Sequence, residues 1–531
     1  MSQEDLNNKT LMAEDLAKEY RQISVATFFE RNRHLLGYDN TIRALLTVVK
    51  EAVDNSLDAA EEARILPDIK VEIKQLAEDR FTVIVEDNGP GIVKKYIPNV
   101  FAQLLFGSKF HRLRQSRGIQ GLGISCAVLY SQLTTGKTAK ITSKTEKNKP
   151  AHYYELHIDT QKNLPEIVKE EVIDWSKDHG TKVELELQAK YSKGKQSVDE
   201  YLRQIAIVNP HLYLVYITPE NETLEFPRAT NELPKEPIEI KPHPHGVELG
   251  ILIRLLRETK ARTLQNFLTS DFCRIGGTTA KNICKEANLP INIKPSKIEK
   301  NEIENLFKAM QNVKIIAPPT DCLSPIGEDL ILKGLKKEIN AEFYISSSRS
   351  PSVYRGFPFS IEAGIAWGGE LDKESQVRLL RFANRVPLLY QQGACAIIEA
   401  VIDTNWRSYG LSQSSNSLPV GPAIILVHIS SVWVPFTSES KEAIAHYPEI
   451  IKEIKLALQD CGRKLIMYIR RTVKANEHKE KIDLFEKYIP ELASSLAILT
   501  DNKKEILQEK LQKLLKKELP SLEANNGTEK N

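Results

Sequence analysis

Leu45, Val48, Val49, Ala52 and Val53 recur at helical spacing within residues 44–63, so that segment predicts a helix with one buried stripe. Lys70-Val-Glu-Ile-Lys and Phe81-Thr-Val-Ile-Val-Glu alternate instead, which predicts strands. Prolines at 234, 237, 242 and 244 interrupt the pattern and predict a domain boundary. Helical spacing returns from about 247 to 320, in Ile251–Leu256 and Thr263–Leu268. Ile275-Gly-Gly-Thr-Thr-Ala-Lys reads as a turn and the N-cap of another helix, and Ala317-Pro-Pro-Thr marks a second break. Apolar runs at Ile361–Trp367, Ala396–Ile402 and Ala423–Ile429 predict strands. From Lys441 the pattern is helical. Running to residue 475, that helix would be about 50 Å long at 1.5 Å per residue. Ile506, Leu507, Leu511, Leu514 and Leu515 predict a short amphipathic helix, and the polar tail beyond reads as disordered.

The 531 residues suit three or four domains at roughly 150 residues each. An apolar fraction of 41% and a charged fraction of 27% are ordinary for a globular chain. No apolar run reaches the roughly 18 residues that a membrane span needs. The opening MSQEDLNNKT is polar and acid-bearing, unlike a secretory signal. A net charge of +3 permits basic patches without specifying nucleic acid. The six cysteines are scattered and form no C-x-x-C pair, so they predict neither zinc nor a disulfide framework, but reduced thiols in a cytosolic protein.

Three motifs carry chemistry. In Glu51-Ala-Val-Asp-Asn-Ser-Leu-Asp-Ala, helical spacing puts Glu51, Asn55 and Asp58 on one face. A carboxylate there can activate a water, and an amide oxygen is a hard ligand for Mg²⁺. The plainer reading is a solvated helix face. In Val85-Glu-Asp-Asn-Gly-Pro-Gly-Ile, a carboxylate ends a strand where it can accept from an exocyclic amine, while Gly89 and Gly91 let backbone approach a flat ring. The plainer reading is a turn. In Ser108-Lys109 and Arg117-Gly-Ile-Gln-Gly-Leu-Gly-Ile-Ser125, a glycine-rich loop feeds a helix N-terminus, a ready anion site. Its spacing is neither that of a Rossmann loop nor that of a P-loop.

Together, in this order, the motifs resemble the GHKL ATPase superfamily, and Gly180-Thr181 matches the threonine of its later strand. Asn55-Ser-Leu-Asp-Ala, Lys241-Pro-His-Pro-His-Gly, Ile326-Gly-Glu-Asp-Leu and Arg381-Phe-Ala-Asn-Arg-Val-Pro-Leu further resemble the B subunits of type IIB topoisomerases, topoisomerase VI. The resemblance runs from about residue 24 to about 500. It implies a multidomain α+β chain: a GHKL (Bergerat) α/β sandwich with an N-terminal strap at 1–243, a helix–two-turns–helix domain at 244–321, a ribosomal-S5-like transducer with a long helix at 322–480, and a helical tail at 481–531.

The same resemblance implies roles. Glu51 is the general base and Asn55 the Mg²⁺ ligand. Asp87 reads adenine, with Gly89, Gly91 and Thr181 beside it. Ser108, Lys109, Gly118, Ile119, Gln120, Gly121, Leu122, Gly123, Ile124 and Ser125 hold ATP and its phosphates, and Lys441 reaches the terminal phosphate. It implies ATP-driven self-dimerisation, a heterotetramer with two A subunits that carry the cleaving tyrosine, duplex DNA bound without sequence reading, and a cytoplasmic, nucleoid-associated site of action. The chain departs from the pattern at Ser125, where many relatives have lysine, and at Arg407 in Trp406-Arg-Ser-Tyr409, where arginine replaces lysine. Lys281, Lys285, Arg463, Lys464, Arg470 and Arg471 are basic candidates for DNA, each read alone as a solvated charge. A MutL-like repair ATPase, a chaperone and a non-enzymatic scaffold are the competing readings. The helical insert opposes the first two, and the intact motifs oppose the third.

Overall fold

The computed structural model describes residues 17, 20–21, 23–110, 112–118, 121–438, 440–500 and 502–524. Most of the expected strap, together with Ile119, Gln120 and the tail beyond 524, lies outside the described residues.

The first layer forms as the alternation demands. Helix α1 (Val25–Arg31) is capped by Ser24, and α2 (Thr41–Glu62) by Asn40, whose side chain accepts from the Arg43 amide. Strands β1 (Asp68–Ala77) and β2 (Arg80–Asp87) follow, then α3 (Ile97–Ala102) and α4 (Gly123–Thr135). Next come β3 (Ala139–Lys144), β4 (Ala151–Asp159), β5 (Leu164–Ile173), β6 (Gly180–Gln188), α5 (Val198–Val208), β7 (Tyr213–Ile217) and β8 (Thr223–Phe226). They build an eight-stranded sheet in the order β5-β4-β3-β6-β2-β1-β7-β8. Every pairing in it is antiparallel except β1 with β7. The predicted α2 stripe is wholly buried, in one core with Ile69, Val71, Val83 and Leu185 of the sheet. Each such buried aliphatic side chain contributes about 1.5–3 kcal/mol, so the layer holds α2 rigidly beneath its polar face.

Residues 227–243 carry no regular element. Beyond them α6 (Leu249–Glu258), α7 (Leu264–Asp271), α8 (Gly277–Glu286) and α9 (Lys300–Asn312) surround a core of their own, including Leu252, Phe267, Ile283 and Leu306. The N-cap before α8 is Gly276, with no side-chain hydrogen bond, so the threonines of the motif lie inside the helix rather than capping it. Helix α10 (Glu328–Glu338) then precedes a second sheet of β9 (Phe343–Ser348), β10 (Ser352–Tyr354), β11 (Phe357–Trp367), β12 (Arg378–Ala383), β13 (Val386–Pro387) and β14 (Ala423–Ser431). Its order is β10-β11-β14-β12-β13, with β9 also on β11. Ile207 and Val208 of α5 share a core with Ile331, Leu335, Phe382 and Leu426, so the two sheets are bridged by one apolar contact.

Two expectations need correction. Ala396–Ile402 is helix α11, not a strand. Its buried residues Ala396, Ile397, Ala400 and Val401 follow helical spacing, which a short apolar run cannot show by alternation. The long helix α12 starts at Pro448, not Lys441, and runs to Thr500. A proline suits a first turn but disfavours helix in the residue before it, so 441–447 stays a loop. Residues 462–524 with Trp406–Leu411 form a separate compact unit. In it Trp406 is fully buried, edge-on to Tyr409 at 6.1 Å, and α13 (Lys504–Ala524) is the last described element. Among the described residues no helix is long and apolar enough to cross a membrane.

Candidate active site

A cavity of about 600 Å³ opens over the polar face of α2. Its walls include Glu51 and Asn55 from α2, Asp87 and Gly91 at the end of β2, Ser108 and Lys109, Gly118 and Gly121–Ile124, Thr181 from β6, and Lys441. Three distant motifs thus meet because the sheet carries the end of β2 and the start of β6 beneath one helix.

At the closed end Asp87 is buried. Gly89 N–H (2.8 Å) and Thr181 N–H (3.0 Å) donate to its Oδ1, and the Ser56 hydroxyl donates to Oδ2 at 2.8 Å. Oδ2 therefore keeps room for one further donor. Burial pushes this carboxyl above its ordinary range, against the pull of those hydrogen bonds. Gly91 takes φ +68°, and a Cβ there would lie 2.1 Å from the Lys144 carbonyl, so only glycine lets the loop turn so tightly. Gly89 forms its hydrogen bond to Asp87 from the backbone and is not among the cavity walls.

At the open end Glu51 lies against the first residue of α4. A Cβ on Gly123 would come 1.8 Å from Glu51 Oε2, so this glycine lets the carboxylate and the helix start share one corner. The unpaired N–H groups of a helix start favour anions. Asn55 is exposed toward the cavity one turn after Glu51. Lys441 holds a left-handed backbone, φ +54°, that aims it into the cavity, and its Nζ donates to the Arg117 carbonyl at 3.4 Å. Burial lowers the pKa of this lysine, while Glu51 opposes the shift. Ser125 does not face the cavity. It is buried, its hydroxyl donating to the Leu122 carbonyl at 3.1 Å. Asp58 does not join the Glu51–Asn55 face in lining the cavity. It accepts from Lys109 at 2.7 Å and from Arg117 at 2.8 Å.

The motifs give no sign of these last pairings. Asp58, Glu61 and Glu62 crowd the last turns of α2, where negative charge opposes the helix dipole. Lys109, Arg114 and Arg117 neutralise them at 2.7–2.8 Å. Burial raises the Asp58 and Glu61 carboxyls, but Arg117, with Lys109 at Asp58 and His211 at Glu61, outweighs it and holds both below the usual range. Arg43 of α2 pairs with Glu442, beside Lys441, and lies over the Tyr390 ring at 5.1 Å. The available signal was the cluster of acids at a helix end, which needs cations from elsewhere.

Residues 40–190 match the family described as histidine kinase-, DNA gyrase B- and HSP90-like ATPase, and residues 318–481 match the topoisomerase VI B subunit transducer. Among curated proteins the chain is 53% identical to the type 2 DNA topoisomerase 6 B subunit of Methanosarcina barkeri, over 92% of this chain and 78% of that one. It is 54% identical to the protein of the same name from Methanococcoides burtonii, over 92% and 78%, and 38% identical to that from Pyrococcus furiosus, over 96% of each.

Proposed function

The chain belongs to the family of type 2 DNA topoisomerase 6 B subunits, and from that premise we propose how its cavity serves as the ATP site of a DNA-gating ATPase. The protein is the ATP-binding and ATP-hydrolysing component of a type IIB topoisomerase, acting on DNA with an A subunit. One observation carries the site assignment: Glu51, Asn55, the start of α4 and Lys441 converge on one cavity whose far end is the partly satisfied Asp87.

Adenine enters the closed end, its exocyclic amine donating to Asp87 Oδ2. Thr181 and Gly91 flank it. The phosphates lie toward Gly118, Gly121 and Gly123, whose backbone N–H groups suit anions. Ser108 and Lys109 stand at the same rim. Lys109 is already paired with Asp58, so it contributes field more than a direct bond. Asn55 presents a hard oxygen of the kind Mg²⁺ prefers, and the ion when bound offsets phosphate charge. Glu51 takes the proton of the attacking water. Lys441 lends its charge to the terminal phosphate, leaving the Arg117 carbonyl, so the second sheet senses whether that phosphate is present.

The domain division at 243, 321 and 480 is part of the same reading, as are ATP-dependent self-dimerisation, a heterotetramer of two A and two B subunits, relaxation or decatenation of DNA, and a cytoplasmic, DNA-associated location. DNA is held through its phosphates. The test is ATP turnover by the full chain with an A subunit and duplex DNA. Glu51→Gln should lower it by roughly 100-fold or more, the usual reach of a general base. Wild-type turnover in that variant would remove Glu51 from the chemistry.

A further inference from the structure

The hairpin between β12 and β13 turns on two residues, with Ala383 paired to Val386. Both turn residues have positive φ, 48° at Asn384 and 64° at Arg385. Such turns favour asparagine first and glycine second. Asn384 obeys, but Arg385 holds a backbone conformation that costs a side chain strain and costs glycine none. Strain of this kind persists where its surroundings over-determine it, and it clusters at working parts of proteins.

The surroundings are specific. The Arg385 side chain is 5% exposed, and its Nη1 lies 3.8 Å from Glu61 Oε2. Nη2 donates to the Ser324 carbonyl and hydroxyl, both at 3.0 Å, and to the Pro325 carbonyl at 3.1 Å. The Arg385 amide donates to His428 Nε2 at 2.9 Å. Asn384 Nδ2 donates to the Ser116 carbonyl at 3.0 Å. Ser116 precedes Arg117, whose guanidinium donates to the same Glu61 at 2.7 and 2.9 Å and whose carbonyl accepts from Lys441. One turn of the second sheet therefore grips the entry to the glycine-rich loop twice, through its backbone and through a shared carboxylate. Neither Asn384 nor Arg385 is among the walls of the cavity.

We infer that the Asn384–Arg385 turn is a positioning element for the phosphate lid: Arg385, through Glu61 and Arg117, sets residues 116–118 against the second sheet, so that the lid seats only when the transducer is in place. This rests on the ATP-site reading above. It separates two jobs. Lys441 acts on the phosphate itself, and Arg385 acts only through the lid.

Arg385→Gly deletes the guanidinium while suiting the turn. In the full chain with A subunit and DNA, the Kd for a non-hydrolysable ATP analogue should rise by less than the kcat for ATP falls. The kcat for ATP should fall by roughly 10-fold or more, as misplacement of a catalytic frame does. Arg385→Lys should recover part of that loss. An unchanged kcat overturns the inference, and so does a loss of thermal stability with turnover per folded molecule at the wild-type level. Should Arg385→Gly fail to fold, Asn384→Gly removes the other strut at a position that also tolerates glycine, and the same two constants decide in the same way. A wild-type chain that binds no ATP analogue would instead overturn the ATP-site reading, and it would do so before any variant is compared.

Discussion

Asp87 uses one carboxylate oxygen to hold the Gly89 and Thr181 amides and leaves the other, beside the Ser56 hydroxyl, facing the cavity. This division suits the proposed role of reading adenine. Asp87→Asn keeps the shape but exchanges an acceptor for a donor opposite the adenine amine. Hydrogen bonds to a charged group contribute about 1.5–3 kcal/mol, so affinity for an ATP analogue should fall by roughly 10-fold or more. Titration calorimetry checks it, and equal affinities would take Asp87 out of recognition. Motif spacing places Asp87 at a strand end before two glycines, where a plain turn is the simpler reading and the order of the three motifs favours a site. It could not locate Arg117 or Arg385, whose partners lie far away in sequence.

The start of α4 is the element on which the proposed phosphate site turns. Gly123 is there because Glu51 Oε2 occupies the space a Cβ would fill, 1.8 Å away. Gly123→Ala must displace the Glu51 carboxylate, the far end of a flexible side chain, or the helix start, and moving that carboxylate takes it out of place. Turnover should drop by roughly 100-fold, the scale of a 1 Å misplacement. The fold should survive, since the site is at the cavity wall. Steady-state kinetics beside a melting curve checks both halves, and wild-type kcat in Gly123→Ala would show that the corner can open without cost. Helix α11 teaches the opposite lesson about elements. Ala396-Ile-Ile-Glu-Ala-Val-Ile suits either strand or helix, and burial on one side by the surrounding fold, not local preference, made it helical.

At the scale of the molecule, a buried polar chain runs from the second sheet through Arg385 to Glu61 of α2. Glu362 accepts from the Ile326 and Gly327 amides and from His428 Nδ1, all within 2.8 Å. His428 Nε2 in turn accepts from the Arg385 amide, so this imidazole is the neutral form protonated at Nδ1. Burial depresses the pKa of His428, and likewise that of His211. The unfolded chain takes up protons on these histidines below their ordinary 6.5 while the folded chain does not, so stability is lost as pH falls below that value. Glu61 and Glu362, held below their ordinary 4.5, add a second loss as pH falls further. The melting temperature should therefore drop by about 3 °C or more between pH 7.5 and 5.5. A flat profile by scanning calorimetry over that range would mean these histidines are not buried as neutral groups.

The sequence by itself located the candidate ATP-site residues and part of the first layer, α2, β1 and β2 among it. Glu51, Asn55, Asp87 and the lid glycines are local motifs, tied to one face of a helix, a strand end and a helix start that short-range spacing specifies. It also determined the helical stretch after the proline-rich break, because amphipathic periodicity is a property of neighbours. Only the tertiary structure decided which way Asp58 and Ser125 face, and that Lys441 and the Asn384–Arg385 turn meet the lid. The Asp58 partners lie 51 and 59 residues away and the Lys441 and Asn384 contacts with the lid span more than 250 residues, and no local pattern records a partner at such distances.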